Sequence, residues 1–311
     1  MKINQIEIKP GEEKKLEANI AKLPSRSSVD VTVYVARAKK VGPTLLLLGG
    51  MHGDEINGVE IIRRLVDRRW NIPSAGTTIS IPILNVFGFI QFSRYVPDGK
   101  DVNRSFPGSK NGSLASRIAY FLRTEILPNV DYGIDFHTGG AERTNYPQIR
   151  GMMQNLTNLE LAKAFHPPFI LNANFRAKSL RQTAKKLGSQ VLIYEGGESG
   201  RLDEFAIKCG MEGTLRVMRH LNMTDIAVSE APYEHKFIVK SSWLRAPVSG
   251  MFIPSIKIGQ LVEKKQQIGV ISDPFGGYQK KLKAPHSGYI IGLNNNPVMH
   301  QGDAVVHIGW E

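Results

Sequence analysis

The sequence predicts an α/β protein, a mixed central sheet with helices on both faces, followed by a small all-β barrel or sandwich. Three observations lead there. Residues 44–48 form an unbroken apolar run, as in a strand buried on both faces. The glycine-rich GGMHGDE follows at once, and then residues 57–69 carry Val59, Ile62, Leu65 and Val66 at helical spacing, so the order is strand, loop, helix. From about Phe237 the texture changes to short apolar stretches broken by glycine and proline.

The elements follow in order. Residues 30–36 (DVTVYVA) alternate as a half-exposed strand does, ahead of the buried strand 44–48 and the helix 57–69. Further strands are expected at 78–84, 132–136 and 190–194, with helices at 115–127 and 212–221. In sheets covered on both faces, ligands collect beyond the carboxyl ends of strands. GGMHGDE, DFHTGG and YEGGE each read as a short loop entered from an apolar run, which lets three distant segments meet on one rim. The helix 212–221 ends the first region, and a boundary within 230–236 separates a catalytic domain, 1–235, from a small β domain, 236–311. In the latter Ala246-Pro247-Val248-Ser249-Gly250 recurs as Ala284-Pro285-His286-Ser287-Gly288, each copy leading to a glycine turn and a short strand. Two such halves facing one another would form the barrel or sandwich.

Composition narrows the function classes. With 41% hydrophobic and 22% charged residues the chain is neither disordered nor fibrous. No run approaches the roughly 20 apolar residues of a membrane span, and the first residues, MKINQIEIKPGEEKK, lack a signal-peptide core. A lone cysteine, Cys209, makes no internal disulfide and has no metal-ligand spacing. A cytoplasmic location is the resulting expectation, with no membrane partner. The formal charge of +12 admits nucleic acid, an anionic surface or an acidic substrate, with a solvated basic face as the favoured reading of the scattered lysines and arginines. However, clusters such as Arg63-Arg64 and Lys280-Lys281 lack the interleaved aromatics of an RNA surface, so no nucleic-acid partner is expected.

His52 and Glu55 lie three apart in a loop that feeds a helix, close enough for an imidazole and a carboxylate to share one ion. Alone, such a pair is more often a helix-start hydrogen bond, and the glycines beside it also suit an anion cradle. No Lys-Ser or Lys-Thr follows the glycines and no G-x-G-x-x-G is present, which weakens a nucleotide site. A third ligand, His137, would come from the end of a later strand, and two histidines with one carboxylate make a recurring catalytic zinc shell. Imidazole ligands favour zinc over magnesium. Asp135, in the same motif, reads equally well as a turn cap. His166, His220 and His235 lack ligand spacing and read as structural; His286, His300 and His307 fall in the carboxy-terminal region, where a second metal site is the less favoured reading.

GGMHGDEINGVE, DVNRSFPG, DFHTGG and YEGGE, in that order, resemble the succinylglutamate desuccinylase/aspartoacylase family, a deacylase branch of the zinc carboxypeptidase superfamily. The likeness covers roughly residues 40–220, and a carboxy-terminal barrel is also usual among its bacterial members. It implies a zinc carboxypeptidase-like fold and one Zn2+ per chain held by His52, Glu55 and His137. It makes Glu195 the general base in preference to Glu198, and Arg94 the arginine that steadies the scissile carbonyl. Asn103 and Arg104 would bind the substrate carboxylate, and Asp101 would orient His52 through its other ring nitrogen.

That chemistry is self-consistent. Bound zinc lowers the pKa of its water towards about 7, and a neighbouring carboxylate then takes the proton and passes it to the departing amine. The expected function is a zinc-dependent deacylase cleaving the amide of a small N-acyl amino acid that carries a carboxylate. The alternative is a metallocarboxypeptidase acting on peptide carboxyl ends with the same shell. Arg143, Arg176 and Arg181 are candidates for the further arginines an acidic substrate would need. The last region looks like the biotinyl/lipoyl fold but has no Met-Lys-Met triplet, since Lys280, Lys281 and Lys283 lie in a basic run, so a carrier role is not expected. The resemblance suggests that it narrows the rim or mediates contact between subunits of a homo-oligomer.

Overall fold

The computed structural model describes residues 1–22 and 25–311. At its centre the strand Lys40–Leu48 lies between Ala75–Ile81 and Tyr132–Gly139, parallel to both. Gln190–Glu198 continues the parallel set. Beyond it the pairings turn antiparallel, to Ser28–Arg37 and Glu13–Lys22 on one side and to Arg143–Gly151 on the other. The sheet is mixed, as the sequence predicts.

Successive side chains of a strand face opposite ways, so the leucines of Lys40–Leu48 serve two cores. Leu46 and Leu48 join Ile79, Ile118, Leu122 and Leu180 on one face, while Leu45 and Leu47 join Ile61, Leu65, Phe136 and Leu215 on the other. Leu114–Phe121 and Leu180–Lys186 cover the first face; Ile56–Asp67, Leu156–Phe165 and Glu204–His220 cover the second. Burying each leucine contributes roughly 2 kcal/mol, which makes this double layer the frame on which the site is mounted. Gly58 brings the helix Ile56–Asp67 down onto the sheet, where an added Cβ would stand 2.6 Å from Cβ of Phe136. Asn57 locks that helix sideways by donating to the Gly196 carbonyl and accepting from the Asp203 amide, each at 3.0 Å.

Several expectations are corrected. The strand expected at 78–84 runs from Ala75 to Ile81, because Pro82 has no N–H to extend the ladder. The helix expected at 115–127 is α-helical only over Leu114–Phe121 and then widens into a π turn, Leu122–Ile126. The helix expected at 212–221 begins at Glu204, where Asp203 accepts from the Ala206 amide at 3.0 Å as its cap. DFHTGG and YEGGE are not loops: Tyr132–Gly139 and Gln190–Glu198 remain strands through them, with Glu195 opposite His137 and an irregularity only beyond Glu195.

The described part of the carboxy-terminal region is built of strands but does not close into a barrel. Gly288–Asn294, Ala304–Trp310 and Lys240–Arg245 extend the main sheet, entering it through Gly292 opposite Asn145 and Leu293 opposite Thr144. Gly250–Pro254, Gln267–Ser272, Gln279–Lys283 and Val298–Met299 form a separate four-stranded sheet. Phe252, Ile271, Leu282, Ile290 and Ile308 share the core between them. The open arrangement covers backbone groups over Arg143, Thr144 and Asn145 that would otherwise be an unpaired edge, while Gln148–Gly151 pair with Phe169–Asn172. Among the described residues no helix is long and apolar enough to cross a membrane.

Candidate active site

The loop after Lys40–Leu48 turns tightly because Gly50 has φ +57° and because a Cβ on Gly53 would overlap the backbone of Gly88. This turn delivers His52, and Glu55 follows immediately before the helix Ile56–Asp67. His137 comes from the neighbouring strand Tyr132–Gly139. Their ligand atoms all lie within 4.8 Å of one another, and all three residues are buried. His52 Nδ1 is 2.8 Å from Glu55 Oε1, and His137 Nδ1 is 2.8 Å from Glu55 Oε2. The two Nδ1 atoms are 3.2 Å apart.

The outer nitrogens explain this convergence. His137 Nε2 lies 2.8 Å from Asp135 Oδ2, and His52 Nε2 lies 3.3 Å from Asp101 Oδ1. An imidazole that donates its Nε2 proton to a carboxylate presents the Nδ1 lone pair on its other side. Two such lone pairs and a carboxylate facing one another form a donor set suited to a divalent ion, and nitrogen donors suit zinc better than magnesium. The surrounding charge agrees. Burial works against the charged form of Glu55, yet His52 and His137 outweigh it and hold the carboxyl well below its usual range. Burial likewise opposes a charge on His137, but Asp135 and Glu55 prevail and raise it. The site attracts positive charge.

The triad lies on a cavity of about 580 Å³. Arg94, Asn103, Arg104 and Glu195 line the same cavity, so it unites all the expected site residues except Asp101, which stands behind His52. Arg94 is no loose surface charge: its Nε and Nη2 reach Asp101 Oδ2 at 3.2 and 2.9 Å, and Nη1 reaches Glu55 Oε1 at 3.1 Å. Asn103 accepts from the Leu180 amide at 2.9 Å. Arg104 donates to the Asn103 carbonyl at 2.6 Å and has no carboxylate partner among the described residues. Glu198 pairs instead with Arg201 at 3.5 Å and does not line this cavity.

Arg176 and Arg181 line the cavity, whereas Arg143 turns away and lies 5.6 Å over the ring of Trp243. Arg181 is buried, its guanidinium donates to the carbonyls of Ala173 and Asn174, and burial pulls its pKa down to about 10. Of the five arginines that line the cavity, Arg94 and Arg150 pair with carboxylates, which leaves Arg104, Arg176 and Arg181 without a carboxylate partner among the described residues. Sequence reasoning missed Asn145 and Arg150, which touch the two oxygens of Glu195. It also left Asp135 undecided, although residues two apart on a strand share a face and the Asp-Phe-His spacing carries that signal. Cys209 is buried and free. His307 stacks on Trp243 at 4.7 Å, and among the described residues the only cluster suited to a metal is the triad.

Comparison with known proteins accords with this geometry. The family model of the succinylglutamate desuccinylase/aspartoacylase catalytic domain matches residues 41–221. N-alpha-acetyl-L-2,4-diaminobutyric acid deacetylase of Halomonas elongata is 28% identical over 280 residues, covering 86% of this chain and 82% of that protein. Among solved structures, the product-bound ectoine utilization protein EutE (DoeB) from Ruegeria pomeroyi has a TM-score of 0.84 at 22% identity, covering 96% and 95% of the two chains. Succinylglutamate desuccinylase/aspartoacylase from Rhodobacter sphaeroides has a TM-score of 0.82 at 24% identity, with the same coverage.

Proposed function

Because the chain belongs to the succinylglutamate desuccinylase/aspartoacylase family, we propose that it is a zinc-dependent amidohydrolase that deacylates a small N-acyl amino acid bearing a carboxylate. It is a hydrolase of carbon–nitrogen bonds in linear amides other than peptide bonds, as its diaminobutyrate-deacetylating relative is. The observation that carries the zinc reading is the paired orientation of two imidazoles, each with Nε2 on an aspartate and Nδ1 turned towards Glu55.

His52, Glu55 and His137 would hold one Zn2+, which when bound supplies a Lewis acid and a water acidified towards about pKa 7. Glu195, on the cavity wall, takes the proton of the attacking water and delivers it to the departing amine nitrogen. Arg94 keeps its two contacts with Asp101 and turns Nη1 towards the oxyanion that develops on the scissile carbonyl, a contact worth about 3–4 kcal/mol when one such donor is lost. Arg104, unpaired within the described protein, forks onto the substrate carboxylate beside Asn103. Asp101 and Asp135 fix the ring orientations of His52 and His137.

Residues 1–235 form the catalytic domain in this reading, and 236–311 a smaller β domain that braces its rim. A cavity of about 580 Å³ rich in arginine supports a small anionic substrate over a peptide tail. The test is hydrolysis of a panel of N-acetyl and N-succinyl amino acids and short peptides by enzyme stripped with a chelator and then reloaded with zinc. Zinc-restored cleavage of N-acyl amino acids is the expected result. Selective cleavage of peptides would replace this reading with a carboxypeptidase, and full activity in the stripped enzyme would remove the metal from it.

A further inference from the structure

Glu195 is held from outside its own strand. Asn145 Nδ2 donates to its Oε2, and Arg150 Nη1 lies 3.3 Å from its Oε1, so each carboxylate oxygen has its own partner on Arg143–Gly151. Two strands in simple register would not present both partners. Glu195 pairs with Gln148 and Gly197 with Asn145, so three steps on one strand oppose two on the other. The extra residue lies in the Tyr146-Pro147 stretch and resets the pleat, which lets Asn145 and Arg150 reach the same carboxylate.

The partners are themselves anchored to the carboxy-terminal region. Arg150 Nε donates to Gln148 Oε1 at 3.2 Å, and the fully buried Gln148 donates from Nε2 to the Ile291 carbonyl at 3.1 Å. Gly292 lies opposite Asn145, and a Cβ there would come within 3.0 Å of Asn145 Oδ1. Resting on the assignment of Glu195 as the base, we propose that Arg150 and Asn145 are its positioning residues and that the strand Gly288–Asn294 is the brace that fixes them. The carboxy-terminal region then acts on the chemical step itself, through Ile291 and Gly292. Two rigid partners hold the carboxylate at one position, and a displacement of about 1 Å at a reacting group costs on the order of 100-fold in rate.

The experiment measures kcat, KM and bound zinc for full-length Arg150→Met, Arg150→Lys, Gly292→Ala, Glu195→Gln and the Arg150→Met/Glu195→Gln double variant. Arg150→Met should lower kcat by about 100-fold with KM within about twofold and zinc content unchanged, and Arg150→Lys should recover part of the loss. Gly292→Ala, remote from the cavity, should lower kcat with KM unchanged. In single-turnover assays the Arg150 substitution should cost nothing further once Glu195 is glutamine, because a positioning residue has nothing left to position. A rise in KM in place of the fall in kcat would make Arg150 a substrate ligand and overturn the proposal. Losses that multiply in the double variant, or a Gly292→Ala enzyme with unchanged kcat, would also overturn it while leaving Glu195 as the base. Full activity in Glu195→Gln would instead remove the base and the brace with it.

Discussion

Asp135→Asn isolates what the buried aspartate does for the metal. The change is isosteric, and Asp135 is buried with Oδ2 2.8 Å from His137 Nε2. Its other oxygen has no partner, so only one contact is altered. If the new amide offers its oxygen, the ring keeps its proton on Nε2 but loses the charge that makes Nδ1 a strong donor. If it offers its NH2, the proton is forced to Nδ1, where the metal must bind. Replacing such an outer partner typically weakens metal binding 10- to 100-fold, or about 1.4–2.7 kcal/mol. A second effect opposes this one. Burial works against a charge on His137, but Asp135 together with Glu55 raises its proton affinity, so in the wild type the metal must displace a more firmly held proton. The deficit of Asp135→Asn should therefore be fullest at alkaline pH, where His137 carries no extra proton, and should narrow as pH falls. Competition with a chromophoric zinc chelator, measured at acidic and alkaline pH on variants of equal thermal stability, reads this out. An alkaline affinity within twofold of wild type would refute the orienting role of Asp135.

Three further outcomes follow from the geometry. Arg104→Lys should raise KM for a carboxylate substrate about tenfold with little change in kcat, because a point charge cannot reproduce a two-pronged contact; steady-state kinetics decide it. Burial and then nearby Arg150 push the pKa of His307 down to about 3. The unfolded chain, with an ordinary histidine near 6.5, therefore binds more protons below that pH, so this group's contribution to stability is full above 6.5 and is lost as pH falls towards 3. In His307→Phe, which retains a ring against Trp243, the decline in Tm between neutral pH and pH 4 should be smaller than in wild type. Gly58→Ala should lower stability by about 1–3 kcal/mol in urea unfolding, since the helix Ile56–Asp67 cannot stay against Phe136 with a Cβ between them.

What could be read from the sequence was what depends on spacing within one element. The apolar run 44–48 announces a strand buried on both faces, and its leucines do alternate between two cores. His52 and Glu55 share a tight turn, so their proximity is local, and His137 joins them because its strand lies directly beside the one that feeds that turn. Asp135 was readable in principle, since a carboxylate two residues before a ligand on a strand shares its face. Asn145 and Arg150 were not: Arg150 meets Glu195 as a diagonal cross-strand neighbour and Asn145 joins it only through a register irregularity, and neither that pairing nor the irregularity is encoded by a pattern within either strand. The carboxy-terminal region shows the same limit. Its repeated Ala-Pro-x-Ser-Gly implies two similar β halves, yet whether those strands close on themselves or join a neighbouring sheet depends on what edge is available to them. Here Arg143–Gly151 offers its edge, Gly292 fits against Asn145, and the region becomes an extension of the sheet that carries Glu195.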